Sequence, residues 1–316
     1  MKKLLIFALA ALCSTAQATI LRVSNRTNSG APYSSISDAI RAAEEGDTIM
    51  VDGSNTSYGD ITITNRVVLI GPGYLLNENG VIAEGSPSAI LGTVSSNYNQ
   101  AAGSIIMGFD IKDMVNLSQP NMVVTRCRLA TDLRIATSAS NCVVHQNYFV
   151  GGRVMCLSTS STSWAPNAQI TNNIFTRRSD DYGVIYRFSD SHIAYNTMVG
   201  TTTNINYGQE TYLTGCTVEN NIFFRINNLS GNSYSNNLVL AEGIGEVFAD
   251  ATTDKAVKEI SEGRAEEFAG KGAFAGNDPY VISGIPAGPY INDIEMPTSV
   301  EKGQTLRVNI KLGVQQ

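Results

Sequence analysis

The sequence predicts an all-β chain: a right-handed single-stranded parallel β-helix, or solenoid, with an N-terminal capping helix and a small C-terminal strand segment. Three observations carry this. An Asn-centred hexapeptide recurs at roughly coil-sized intervals, the intervening chain is rich in Asn, Thr, Ser and Gly, and one short amphipathic segment precedes the first repeat.

The repeat reads apolar, two variable positions, Asn, one variable position, apolar. Its copies are Val144–Phe149, Ile170–Phe175, Ile193–Met198, Val218–Phe223 and Tyr234–Val239, with Asn147, Asn173, Asn196, Asn221 and Asn237 at the fixed place. Val124–Leu129 is a sixth copy with Cys127 where the others have Asn. Successive asparagines lie 26, 23, 25 and 16 residues apart. One coil of a three-sided solenoid consumes about twenty-odd residues and stacks on its neighbour at strand spacing. An Asn recurring at one corner can turn inward and hydrogen-bond the backbone of adjacent coils, which would otherwise be buried without partners. Phe149, Phe175, Met198 and Phe223 are then expected in the core beside the ladder. Leucine-rich, propeller and helical repeats are excluded by the missing leucine signature, the unit length and the absence of a 3.6-residue period.

The ends fit this fold. Residues 35–45 place Ile36, Ala39, Ile40 and Ala43 on one helical face, with Ser35 as N-cap. A solenoid needs its apolar end covered. Strands are expected at Thr48–Val51, Ile61–Ile63 and Val67–Ile70, a short helix or an irregular turn within residues 250–271, and a strand pair at Ile291–Ile294 and Thr305–Ile310. The organisation expected is a signal peptide over 1–18, the β-helix with its cap over 19–286, and a short β segment over 287–316.

Lys2 and Lys3, the apolar run Leu4–Leu12 and Ala16-Gln17-Ala18 form an export signal with a cleavage site before Thr19. A lipidated Cys13 is disfavoured by the bulky Leu12 before it. No later apolar run reaches the ~18–20 residues of a membrane span, so the expectation is an exported chain that is secreted, periplasmic or held at the cell surface. The formal net charge is −6, and loss of Lys2 and Lys3 makes it −8. With no Lys/Arg cluster, nucleic acid is excluded as a partner. Cys127, Cys142, Cys156 and Cys216 lack metal-ligand spacing, so no metal site is expected. They fit buried free thiols, and a disulfide is the alternative.

Ile36 to Ile49, then Tyr58-Gly59-Asp60-Ile61 and Val68-Leu69-Ile70-Gly71, resemble the opening of pectin-lyase-like right-handed β-helix proteins. Gly272–Pro286 is similar to the closing segment of secreted β-helix proteins from Bacteroidetes. The resemblance covers about residues 33–290. It implies a fold that hosts lyases, hydrolases, esterases, epimerases and non-enzymes alike, with any chemistry on the first strand of each turn and the loops beside it.

Those strands are expected near 132–137, 154–158, 184–188 and 211–214. Alternation would turn Arg134, Arg187 and Tyr212 outward, with Arg153 and the run Arg177-Arg178-Ser179-Asp180-Asp181-Tyr182 in the preceding loops and Trp164 in a wall. On this reading Asp180 and Asp181 are the catalytic candidates with Arg187, as acid and base or as Ca²⁺ ligands. Arg134, Arg153, Trp164, Tyr182 and Tyr212 are the glycan-binding candidates. The competing reading makes the 177–181 charges a solvated loop. Polygalacturonase-like blocks do not line up: Asp180-Asp181 matches one, but His192 sits in Ser-His-Ile and Arg225 in Arg-Ile-Asn. His145 and His192 read as strand residues. The function expected is therefore a rigid surface for glycan binding or adhesion, with a polysaccharide or cell-surface glycan as partner and without a cofactor. A lyase or glycosidase with a divergent site is the alternative.

Overall fold

The computed structural model describes residues 18–80, 87–158, 160, 162–176, 183–200, 212–223, 230–240, 247–286, 288–295, 299, 303–305 and 308–315. It is an all-β parallel solenoid. A ten-stranded, an eight-stranded and a six-stranded sheet run along it, joined by a three-stranded sheet on its later coils. One coil reads Val123–Thr125 in the ten-stranded sheet, Arg128–Leu129 in the eight-stranded sheet and Leu133–Ile135 in the six-stranded sheet. The next repeats this with Val143–His145, Tyr148–Phe149 and Val154–Cys156, each strand parallel to its predecessor.

The chain bends from the ten-stranded to the eight-stranded sheet through a residue in the left-handed region. Arg126, Gln146, Asn172, Tyr195, Asn220 and Asn236 have φ between 49° and 55°. Each directly precedes Cys127 or a ladder asparagine. That conformation costs about 1–2 kcal/mol for a residue with a Cβ, and the asparagines behind it offset the cost. Asn147, Asn173, Asn196 and Asn221 are wholly buried. Each accepts through Oδ1 from the backbone N–H of the ladder residue one coil earlier, at 2.8–3.0 Å. Each donates through Nδ2 to a carbonyl of that earlier coil, as Asn173 does to Val144 O at 2.9 Å. Asn237 ends the ladder and is half-buried. Cys127 takes the Asn place as a packed thiol. Phe149, Phe175, Met198 and Phe223 fill the core beside the column, the first two stacked at 4.6 Å.

The predicted N-terminal helix spans Ile36–Ala42; its Ser35 hydroxyl accepts from Asp38 N–H, and Ile36, Ala39 and Ile40 are buried. The later helix spans Asp254–Gly263. The C-terminal pair forms between Gly288–Glu295 and Asn309–Gln315, antiparallel. Its second strand therefore lies beyond the predicted Thr305–Ile310, because the apolar alternation of Ile310, Leu312 and Val314 continues past that window. Cys127, Cys142, Cys156 and Cys216 are free and buried, and burial pushes their thiols up, Cys127 to about 12 and Cys142 to about 11. The segment expected to be an export signal, residues 1–18, lies outside the described residues apart from Ala18.

Gly272–Pro286 forms a strap. It runs back along the asparagine corner, opposite to the rise of the coils, and is held from outside by the left-handed residues. Gly272 N–H donates to Asn220 O at 2.8 Å, and Asn172 Nδ2 donates to Ala273 O and Ala275 O. Gln146 Nε2 donates to Asp278 Oδ1 and Pro279 O, and Arg126 Nη1 to Ile285 O. Gly284 has no room for a side chain: a Cβ would stand 2.2 Å from Arg126 O. The strap's far end is locked by Asp254, a buried carboxylate that accepts from Asn79 Nδ2, Tyr280 OH and Ser283 N–H.

Candidate functional site

The six-stranded sheet presents one outward column, set by its register: Thr62, Ser95, Asn116, Arg134, Met155 and Tyr186. Its charged end gathers most of the described candidate residues. Arg134 is where alternation puts it, between the buried Leu133 and Ile135. Arg153 lies one coil on, and Asp132 links the two. The Asp132 carboxylate accepts from Arg153 N–H at 3.1 Å, from its Nε at 3.3 Å and from its Nη2 at 3.1 Å, with Arg134 Nη2 at 3.6 Å. Gly152 permits this approach, since a Cβ there would meet Thr131 O at 2.0 Å. The network floors an open depression of 440 Å³ lined also by Thr93, Asp113, Thr131 and Gly151.

Arg187 does not stand outward on a strand as expected. It is left-handed, with φ of 65°, and breaks the coil into Ile185–Tyr186 of the six-stranded sheet and Phe188–Ser189 of the three-stranded sheet. Its Nη1 donates to Ser158 O at 2.6 Å and its guanidinium lies 5.9 Å from the Tyr186 ring. Arg153 covers the same ring at 5.4 Å, and burial raises the Tyr186 phenol above its ordinary pKa.

Tyr212 is also corrected. Leu213–Thr214 joins the three-stranded sheet, so Tyr212 sits at the new corner. It is only 9% exposed, packed on Tyr186 at 5.6 Å, with no open face for a sugar. Trp164 is half-buried, directly ahead of Ala165–Pro166, whose Ala165 N–H donates to Arg187 O. Asp180, Asp181 and Tyr182 lie outside the described residues. His145 and His192 belong to the ten-stranded sheet, on a different face.

Sequence reasoning missed Asp132, Met155 and Tyr186. The signal available was coil spacing: Asp132 and Arg153 are 21 residues apart, one coil, with Gly151-Gly152 between them. Among the described residues no group of three or more His, Cys, Asp or Glu is placed to hold a metal, and no helix is long and apolar enough to cross a membrane. The arrangement offers fixed guanidinium donors beside carboxylate acceptors on a flat, stiff surface, which suits recognition of a ligand rich in hydroxyl or carboxylate groups.

No protein-family model matches the chain, and no curated protein or solved structure is significantly similar to it.

Proposed function

We propose that this chain is an exported solenoid of pectin-lyase-like type whose six-stranded face binds a glycan. The single observation that carries the reading is the Arg134–Asp132–Arg153 network in its open depression. A sugar hydroxyl both donates and accepts, and a uronate carboxylate accepts twice. Paired arginines beside carboxylates supply both kinds of partner without further ordering, because Asp132 already holds both guanidinium groups in place. Tyr186, with the Arg153 and Arg187 guanidinium groups 5.4 and 5.9 Å from its ring, supports the reading with an aromatic contact beside the network. The closing segment Gly272–Pro286, in its resemblance to secreted β-helix proteins of Bacteroidetes, supports export, as does the signal pattern of residues 1–18.

The test is a screen of the purified protein against plant and host glycans, scored for retention and for product release. Retention without turnover is the expected result. Failure to retain any hydroxyl- or carboxylate-bearing polymer overturns the reading, and product release replaces it with catalysis on this face.

A further inference from the structure

The first strand of the solenoid is anchored through the atom that export processing would expose. Thr19 N lies 2.7 Å from Asp47 Oδ1, and Thr19 O accepts from Thr48 N–H at 2.9 Å. Asp47 as a residue is 5% exposed, and its other carboxylate oxygen accepts from Glu44 N–H at 2.9 Å. Among the described residues no Lys, Arg or His pairs with it. A carboxylate held this far from water ordinarily takes a cationic partner. Here its partners are two backbone N–H groups, one of them on the residue that follows Ala16-Gln17-Ala18. Ala18 itself is exposed.

We infer that Asp47 is the receptor for the α-ammonium created when the chain is cut between Ala18 and Thr19. This rests on the export reading. Hydrolysis of that peptide bond, with water as co-reactant, leaves the carboxylate on Ala18 and an amine on Thr19, which takes up a proton. Before the cut, Thr19 N is an amide and gives the Asp47 carboxylate one hydrogen bond from an uncharged donor. Afterwards the same nitrogen carries a full charge at the same place, and the bond becomes an ion pair. Processing thus completes the first coil, and the mature chain holds its N-terminal strand, Ile20–Val23, more firmly than its precursor does.

The experiment has two parts. Sequencing of exported protein is expected to read Thr-Ile-Leu-Arg from Thr19. A different start, such as a lipidated Cys13, overturns the cleavage assignment and the inference with it. Separately, full-length mature chains beginning at Thr19 or at Ala18 are melted at pH 7, each with Asp47 intact and as Asp47→Asn. The Thr19 form is expected to melt about 1–3 °C above the Ala18 form, and Asp47→Asn to abolish that difference. The Thr19 amine is also expected to react several-fold more slowly in reductive methylation, a readout that needs no variant. Equal melting and equal reactivity of the two forms, or a gap that persists in Asp47→Asn, overturns the pairing while leaving the glycan-binding reading intact.

Discussion

Asn196 and Asn221 are joined twice: Asn221 Oδ1 accepts from Asn196 N–H at 2.8 Å and from Asn196 Nδ2 at 2.9 Å. Asn196 in turn donates to Ile170 O and accepts from Asn173 N–H, so one side chain ties three coils. Asn196→Ala removes every bond of the Asn196 side chain, keeps the bond from its backbone N–H to Asn221 Oδ1, and leaves buried backbone groups such as Asn173 N–H unpaired. It is expected to cost about 1–3 kcal/mol, read as a lower urea midpoint with an unchanged slope.

The strap gives a second prediction. Gly284→Ala forces a Cβ onto the Arg126 carbonyl at a residue whose φ is 56°. The 272–286 segment should then lose its outer hydrogen bonds and become a site of limited proteolysis, while the asparagine ladder, on the other side of the same corner, remains protected in hydrogen exchange.

The ladder was legible in the sequence because one inward residue type repeats at coil spacing. The strap's course along the ladder was not. Its partners Arg126, Gln146, Asn172 and Asn220 share a backbone conformation but no single residue type, and Arg126, Gln146 and Asn172 reach the strap through side chains that sequence alone would leave in solvent. The same cause limited the site. Arg134 and Arg153 followed from alternation and coil length. Arg187 and Tyr212 were misplaced because a left-handed residue at 187 splits one strand into two and gives the later coils a further side. Such a break in a β-rich run has no sequence signature when the residue is an arginine.

Burial decides thiol reactivity. With Cys127 pushed to about 12 and Cys142 to about 11, these two carry almost no thiolate at pH 8, and burial raises Cys156 and Cys216 and shields their sulfurs from reagent. The native protein is expected to leave all four unlabelled by a disulfide reagent over minutes, and the urea-unfolded protein to label all four.

His145 should make strap docking pH-dependent. Its Nε2 meets Asp278 Oδ2 at 3.0 Å and its Nδ1 meets Thr171 Oγ1 at 2.8 Å, and burial, outweighing Asp278, lowers its pKa below the usual 6.5. The folded state therefore binds this proton less readily than the unfolded state. Its stabilising contribution is full above about pH 6.5 and declines as pH falls from there through the lower folded value. His145→Gln is expected to flatten the slope of stability between pH 7 and pH 5 relative to the parent protein, as measured by urea titrations at each pH.

The binding face is tested most directly by affinity measurements on the glycan returned by the screen. Parent protein, Arg134→Ala, Arg153→Ala and a control on the ten-stranded face, His192→Ala, would be titrated side by side after their folding is checked. Loss of a desolvated charged contact costs about 2–5 kcal/mol, so each arginine variant should bind at least ~30-fold more weakly while His192→Ala binds as the parent does. Unchanged affinity in both arginine variants, or a loss confined to His192→Ala, would contradict the assignment of the six-stranded face.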